Sequence, residues 1–392
     1  MVIEPKIRGF ICTTAHPAGC RENVRRQIAY VKGQPVIDSA KKVLVIGAST
    51  GYGLASRIAM AFGGQAATIG IIFDKPASGK RTASAGWYNT AAFEEFAAEE
   101  GLYAKTINGD AFSRAVKEET IRLIRQDLGQ VDMVVYSLAA PRRTTEDGTT
   151  YSSVLKTTGE AYTNKTIDLA SRTVTEITIP PATEEEIANT VKVMGGEDWM
   201  DWMQALQEAG VLAENAVTLA YSYIGPELTH PMYKDGSIGR AKDHLFATAG
   251  EIRSQLGVEA YISVNKALVT QSSAAIPIVP LYITVLYQIM KRQGNHEDCI
   301  EQMYRLFHDK LQPDSVETDE NGMIRLDDLE MLPQVQDEVS RVWSTVNTET
   351  LDGTADIDGY WEDFYQMFGF RLDGVDYSQD VNPDVAIPSL TE

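Results

Sequence analysis

Short apolar runs alternate with longer amphipathic stretches over the first two thirds of the chain. Lys42 to Ile46 (KVLVI), Thr68 to Phe73 (TIGIIF), the AKTIN segment before Gly109, Val131 to Ala140, Val217 to Gly225 and Tyr261 to Leu268 read as strands. Their apolar parts lack polar alternation, so both faces should be buried. Between them the pattern becomes helical, near Leu54 to Gly63, Ala91 to Glu100, Arg114 to Leu128, Glu184 to Val193, Trp199 to Ala209 and Ile238 to Leu256. The last carries Ile238, Ala241, Leu245, Ala249, Ile252 and Leu256 on one face and stops at Gly257, a common way to end a helix. Buried strands alternating with helices predict an α/β fold, a Rossmann-type, doubly wound parallel sheet.

Two regions depart from the repeat. Arg142 to Pro181 is rich in Thr and Ser with β-branched alternation, and reads as a hairpin-containing insertion after the fourth strand. From about Gly294 the chain is acidic and helical in pattern, ending in a loose tail, SQDVNPDVAIPSLTE. The most apolar stretch, Ala274 to Met290, contains Pro277 and Pro280. It is short for a membrane span and reads as a buried or substrate-lining helix. With no repeat and no evident linker, the expected organisation is one enlarged domain over 1–392. It comprises an N-terminal arm (1–41), a core (42–290) holding the insertion (142–181), and a helical extension (291–392).

Charge narrows the partners. Thirty-five Lys and Arg face 55 Asp and Glu, a net −20 over 392 residues. That balance repels a nucleic-acid backbone, and no basic block overrides it. A small positive pocket for a phosphate-bearing cofactor stays compatible. Three cysteines cannot build a disulfide framework, which points to a reducing, cytoplasmic compartment. The opening MVIEPKIRGF lacks the pattern of an export signal.

The first chemical signal is Gly47-Ala48-Ser49-Thr50-Gly51-Tyr52-Gly53, placed between a strand and a helix. A helix N-terminus offers free N–H groups and a positive dipole end to a pyrophosphate. Glycines let the backbone turn tightly and approach the phosphates. The spacing is G-x-x-x-G-x-G, that of short-chain reductases; the flanks argue against a plain strand-to-helix turn. Asp74 closes the second strand, where an acid binds the adenosine ribose hydroxyls and disfavours NADP. Lys75, Lys80 and Arg81 pull the other way, and the balance favours NADH. Asp110 follows the third strand, either as an adenine-facing acid or as a turn or N-cap residue in NGDAFS. Leu138 and Ala139 end the fourth strand, where small residues would let a cofactor cross the sheet.

The second signal is Tyr233 with Lys242. Short-chain reductases use a phenol as acid with a lysine nearby to hold the ribose and favour the phenolate. Nine residues at about 100° each leave the two half a turn apart on one helix. They can cooperate only if Tyr233 precedes the helix. Gly236 and Gly239 supply the break, and Ser237 could cap the helix carrying Lys242. Ser222 leaves a Ser-Tyr ketone or 3-oxoacyl reductase as an alternative. A non-catalytic dinucleotide sensor on the same sheet is another.

Two other motifs read as decoys. Cys12-x3-His16-x3-Cys20 offers three zinc-type ligands without a suitably spaced fourth, so buried thiols and a structural histidine are favoured. Glu317 to Asp328 resembles a calcium loop but carries the wrong first and twelfth residues, so a tight turn is expected. No metal is predicted.

Taken together, GASTGYGLASRIAMAFG, GDAFS, VYSLAAPRR, TVKVMGGEDW, LAYSYIGPE, the Tyr233-x8-Lys242 pair and VNKALVTQSSAAIPIVPLY resemble the FabV-type enoyl reductases. IRGFICTTAHPAGC and KRQGNHEDCIEQMYRLF extend the resemblance over nearly the whole chain. That family includes trans-2-enoyl-CoA reductases and enoyl-acyl-carrier-protein reductases. The resemblance implies an enlarged, short-chain-reductase-like single domain, usually monomeric, using chiefly NADH. It implies that Gly47 to Tyr52 hold the pyrophosphate, Phe73 and Asp74 meet the adenosine ribose, and Asp110 and Ala111 flank the adenine. Leu138 and Ala139 would lie along the cofactor, with Leu268, Val269 and Thr270 closing over the nicotinamide. Tyr233 would be the proton donor, Lys242 would bind the nicotinamide ribose and phosphate, and Tyr223 would touch the thioester. Ile276 to Tyr287 would line the acyl pocket. The implied substrate is an enoyl-CoA or enoyl-acyl-carrier protein, in fatty acid biosynthesis or butyrate-type fermentation. Tyr233 and Tyr223 would both hydrogen-bond the thioester oxygen.

Overall fold

The structure, a computed structural model, describes residues 1–9, 11–313 and 315–391; Phe10 of the IRGF segment and Glu392 of the tail lie outside them. Seven parallel strands form the central sheet: β1 (Lys42–Ile46), β2 (Ala67–Ile72), β3 (Ala104–Asn108), β4 (Val131–Tyr136), β5 (Leu212–Ser222), β6 (Glu259–Val264) and β7 (Ile324–Arg325). Their order is β3-β2-β1-β4-β5-β6-β7. The order reverses between β1 and β4, which opens a crevice at the carboxyl ends of those two strands.

Helices cover both faces: α1 (Pro17–Lys32), α2 (Gly51–Ile58), α3 (Ala85–Glu99), α4 (Arg114–Asp127), α5 (Glu184–Met194), α6 (Glu197–Glu208), α7 (Ser237–Glu251), α8 (Val279–Gln293), α9 (Cys299–Arg305), α10 (Pro333–Thr345) and α11 (Ile357–Gln366). The KVLVI run shows why two covered faces are needed. Val43 and Val45 pack with Val24 and Ile28 of α1, Leu54 and Ile58 of α2 and Phe93 of α3. Leu44 and Ile46 pack the opposite way, with Ile124 of α4, Trp199 and Trp202 of α6 and Leu245 of α7. A third cluster joins α8 to α10, α11 and the insertion. This is the doubly wound sheet expected from the sequence.

The insertion holds two antiparallel hairpins, Arg142–Thr144 with Thr150–Ser152 and Tyr162–Asp168 with Thr173–Ile179. Ala274 to Met290 holds the first twelve residues of α8, buried except for the half-buried Gln288; the helix runs on to Gln293. Among the described residues no helix is long and apolar enough to cross a membrane.

Two features depart from expectation. The segment resembling a calcium loop makes the expected turn, with the Asp319 carboxylate accepting from the Asn321 and Met323 amides. It then supplies β7, which pairs with Ser263 and Val264. Two residues are too few for a sequence pattern to reveal.

The tail is pinned, not loose. Trp87 donates to the Val385 carbonyl (2.7 Å) and Tyr88 to that of Pro383 (2.6 Å). Ser389 bonds the buried Glu94 carboxylate through its amide and hydroxyl, and its Oγ accepts from the Thr106 amide of edge strand β3 (3.0 Å). The acid and the edge amide both need partners, and the tail provides them.

Candidate active site

The glycine loop sits in the crevice between β1 and β4. Gly47 has φ +86°, and a Cβ there would lie 2.1 Å from the Ser137 carbonyl oxygen that follows β4. A Cβ on Gly53 would lie 1.8 Å from the Gly47 carbonyl oxygen. These two glycines let the loop fold tightly beneath α2. Gly51, at φ +53°, opens α2, and a Cβ there would meet nothing within 4 Å. Thr50 is the N-cap and makes no side-chain cap bond. The first turn of α2 is therefore open, with the free amides that an anion such as a pyrophosphate could meet. Asn89 of α3 fixes the loop by donating to the Ser49 carbonyl (3.1 Å).

The rim beyond β2 carries the next residues. Phe73 is 78% exposed, a flat apolar surface beside the loop. Asp74 is held by Ser84, whose hydroxyl donates to its carboxylate (2.7 Å), and by the Asn108 amide, which brackets its backbone. Gly86 permits this approach, since a Cβ would lie 2.5 Å from the Asp74 carboxylate. Lys75, Lys80 and Arg81 are exposed. The Asp110 carboxylate accepts from the Phe112 amide (3.0 Å), so it forms the turn before α4; Ser113 is the N-cap. Ala111 is buried beside it. Leu138 and Ala139 follow β4 at the mouth of the crevice, half-buried and exposed respectively.

Tyr233 lies in the turn just before α7, and Lys242 lies on α7. The turn can close on the helix because of Gly236 and Gly239. A Cβ on Gly239 would lie 1.8 Å from the Lys234 carbonyl oxygen and 2.6 Å from that of Tyr233. Ser237 is not the cap. Gly236 holds that position, while the Ser237 hydroxyl donates to the Val154 carbonyl (2.6 Å) and accepts from the Lys156 amide (3.2 Å). Those insertion groups need partners more than the helix end needs a cap. Among the described residues nothing hydrogen-bonds the Tyr233 hydroxyl. Burial pushes its phenol up to about 12 and the Lys242 ammonium down to about 8. Lys242 Nζ donates to the Tyr221 carbonyl (2.9 Å), so two of its three protons remain for a ribose or phosphate.

Tyr223 follows β5, and its ring meets that of Tyr233 edge-on at 5.0 Å. Leu268 and Val269 are buried and Thr270 half-buried in the loop after β6. The Val269 amide donates to the Tyr287 hydroxyl (3.1 Å), and Ser273 ties Leu268 to Thr270. Ile276 and most of α8 form an apolar wall nearby. Ser222, the basis of the alternative Ser-Tyr reading, ends β5.

Sequence reasoning missed Glu330. It is fully buried yet accepts from the Tyr223 hydroxyl (3.1 Å), the Tyr282 hydroxyl (2.6 Å) and the Ala267 amide (2.7 Å). Asn89 and Ser84 were also missed; neither carries a motif.

The zinc-like triplet is structural in geometry. His16 Nδ1 accepts from the Gly19 amide (3.2 Å) as the N-cap of α1, and its ring stands edge-on to Tyr377. Among the described residues His296, Asp298 and Asp363 do converge, within 4.8 Å. Against burial, the hydrogen bond and charge of His296, then Lys266 and Lys291, lower the Asp298 carboxyl, and Lys266 Nζ lies 3.4 Å from His296. The cluster is thus already balanced by cations.

A glycine turn at the switch point, an acid beyond the second strand, and Tyr233 and Lys242 flanking the start of α7 are the parts of a dinucleotide-dependent reductase of the short-chain type. Comparison with known proteins sharpens this. Residues 81–312 match a family model described as the trans-2-enoyl-CoA reductase catalytic region. Residues 2–79 match the NAD(P)H binding domain of trans-2-enoyl-CoA reductase, and 318–381 an enoyl reductase FAD binding domain. A trans-2-enoyl-CoA reductase (NADH) of Ruminiclostridium cellulolyticum is 56% identical, and an enoyl-acyl-carrier-protein reductase (NADH) of Flavobacterium johnsoniae is 58% identical; each match covers 100% of both chains. The crystal structure of a Clostridium acetobutulicum trans-2-enoyl-CoA reductase with NADH matches with a TM-score of 0.95 at 43% identity, covering 98% of each chain. A Treponema denticola trans-2-enoyl-CoA reductase with NAD gives 0.94 at 46%, covering 97% of this chain and 98% of that one. The chain belongs to the trans-2-enoyl-CoA reductase family.

A flavin does not fit the residues of 318–381. The first turn of α11 is filled by the Asp356 carboxylate, which accepts from the Gly359 amide (2.8 Å). Val335, Val339 and Trp343 of α10 and Tyr360 and Phe364 of α11 are spent in the core around α8. A flavin pyrophosphate would meet a carboxylate at one helix end and Leu332-Pro333 at the other. No step is derived through that group.

Proposed function

We propose that this protein reduces the carbon-carbon double bond of trans-2-enoyl thioesters, carried on CoA or on acyl-carrier protein, with NADH as reductant. The observation that carries the reading is the Tyr233 hydroxyl, without a hydrogen-bond partner among the described residues, on a turn packed against the helix of Lys242. Gly47 to Tyr52 hold the pyrophosphate, Phe73 and Asp74 the adenosine ribose, and Asp110 and Ala111 the adenine edge. Leu138, Ala139, Leu268, Val269 and Thr270 border the nicotinamide half. When bound, NADH supplies the hydride that the substrate β-carbon accepts.

The chain's own groups manage the charge that follows. Hydride arrival at the β-carbon leaves negative charge on the thioester oxygen. The Tyr233 hydroxyl donates to that oxygen; one well-placed donor in a water-poor site lowers the barrier by about 3 kcal/mol. Burial keeps Tyr233 protonated, as a donor must be. Lys242 holds the ribose and supplies a positive charge that eases proton loss from the phenol; a proton delivered to the α-carbon, directly from Tyr233 or through the enol and water, completes the saturated thioester. The wall of α8 receives the acyl chain. The reading includes a monomeric, cytoplasmic enzyme, consistent with three free cysteines. It serves fatty acid synthesis or butyrate-type fermentation.

The test follows NADH absorbance with crotonyl-CoA. Wild type should turn over, and Tyr233→Phe should lose at least about a hundredfold in kcat while still binding NADH. NADH binding without turnover of crotonyl-CoA or a longer enoyl thioester would overturn the reading.

A further inference from the structure

Glu330 is a buried acid reached from three separate parts of the site. Its Oε1 accepts from Tyr223, which abuts Tyr233, and from Tyr282 on α8, the acyl wall. Its Oε2 accepts from Ala267, which opens the loop of Leu268 to Thr270. Gln336 steadies the residue from α10 by donating to the Glu330 carbonyl (2.7 Å).

Proton counting turns this geometry into a role. A carboxylate only accepts, and a phenol has one proton to give. Three donors meet two carboxylate oxygens, the pattern that suits an ionised acid. Burial raises the Glu330 carboxyl, and Lys266, the nearby cation, works against that rise together with the Tyr282 and Ala267 bonds. Tyr223 and Tyr282 therefore spend their protons on Glu330. Among the described residues the Tyr233 hydroxyl carries no such bond. This revises the expectation that Tyr223 and Tyr233 both donate to the thioester oxygen.

We propose that Glu330 is a positioning residue: it locks Tyr223, α8 and the loop after β6 into one arrangement, and leaves Tyr233 as the phenol whose proton serves the substrate. The proposal rests on the enoyl-reductase reading. It also gives residues 318–381 a place in the site, since their acid supports the tyrosine pair.

The experiment measures kcat and KM with NADH and crotonyl-CoA, and NADH affinity by fluorescence, for wild type, Glu330→Ala, Glu330→Gln, Tyr223→Phe and the Tyr223→Phe/Glu330→Ala double variant. Glu330→Ala should lose about tenfold or more in kcat, since small misplacement is costly at a reacting centre, with NADH affinity unchanged. Gln keeps an acceptor for Ala267 and should restore most of the rate. Tyr223→Phe should cost several-fold, and the double variant should be no slower than Glu330→Ala, because both cut one bond. If Glu330→Ala fails to fold, the cycle is run with Glu330→Gln. Tyr223→Phe should then cost less in the Gln background than in wild type. Additive losses, a wild-type kcat in Glu330→Ala, or a loss in Tyr223→Phe equal to that of Tyr233→Phe would each overturn the proposal. Failure of the wild type to turn over would instead strike the enoyl-reductase reading.

Discussion

Gly239→Ala offers a sharp test of how Tyr233 is placed. The added Cβ would lie 1.8 Å from the Lys234 carbonyl oxygen, and contacts under 3.0 Å do not persist. The obstacle is backbone, so no side-chain rotation relieves it. The Tyr233 turn must retreat from α7 by about 1.2 Å, the gap between those two distances. Displacement on this scale at a reacting centre costs about a hundredfold in rate, or about 2.7 kcal/mol of barrier. The glycine turn belongs to β1 and α2, not to α7, so NADH affinity should hold. Stopped-flow NADH oxidation with saturating crotonyl-CoA gives kcat, and NADH fluorescence gives the affinity. Gly250→Ala is the control: it lies on the same helix, where the nearest atom to a new Cβ is 4.0 Å away. It should leave kcat alone. Wild-type kcat in Gly239→Ala would refute the placement of Tyr233 by close packing on α7.

Further outcomes follow from buried charge. Burial holds Lys242 near 8, below its ordinary 10.5, while Tyr233 stays protonated to about 12. kcat/KM should therefore fall above about pH 8, and that alkaline limb should move in Lys242→Arg; an unmoved limb would assign it elsewhere. Stability runs the opposite way for this group. Between about 8 and 10.5 the unfolded chain binds the extra proton, so the Lys242 contribution rises with pH. Lys117→Met should destabilise by about 3 kcal/mol in urea unfolding. It strands the Asp198 carboxylate, which Lys117 contacts at 2.6 Å and which burial already drives upward; a loss under half that size would mean water reaches the pair. Asp74→Ser removes the acid beside three exposed cations and should raise kcat/KM for NADPH by about tenfold. An unchanged NADPH to NADH ratio would show that Asp74 does not set the preference.

What the sequence disclosed was local. The KVLVI strand, the glycine turn and the start of α2 are contiguous, so their chemistry is written in consecutive letters. The half-turn mismatch between Tyr233 and Lys242 likewise forced Tyr233 off the helix, where it is found. Ser237 was misread because cap preference was weighed without the insertion, whose Val154 and Lys156 backbone groups claim its hydroxyl. Glu330 was illegible for a stronger reason. It lies in an acidic stretch, DDLEMLP, where one more acid carries no signal, and its partner Tyr223 is 107 residues away. The tail reads as loose because its anchors, Trp87, Glu94 and Thr106, belong to other elements.

That anchored tail bears on how the chain is made. Thr106 and Ser389 are separated by 283 residues. At ~5–20 residues per second, the ribosome needs roughly 15–60 s to deliver the second after the first. For that interval, during which β4 to β7 are themselves synthesised, the outer strand has an amide awaiting its partner. An unpaired strand edge is a template for pairing with another chain. The residues around Ser389, made long after the strand they cover, are thus the ones that retire the nascent chain's risk of aggregation. A fusion appended there would load the step that ends it.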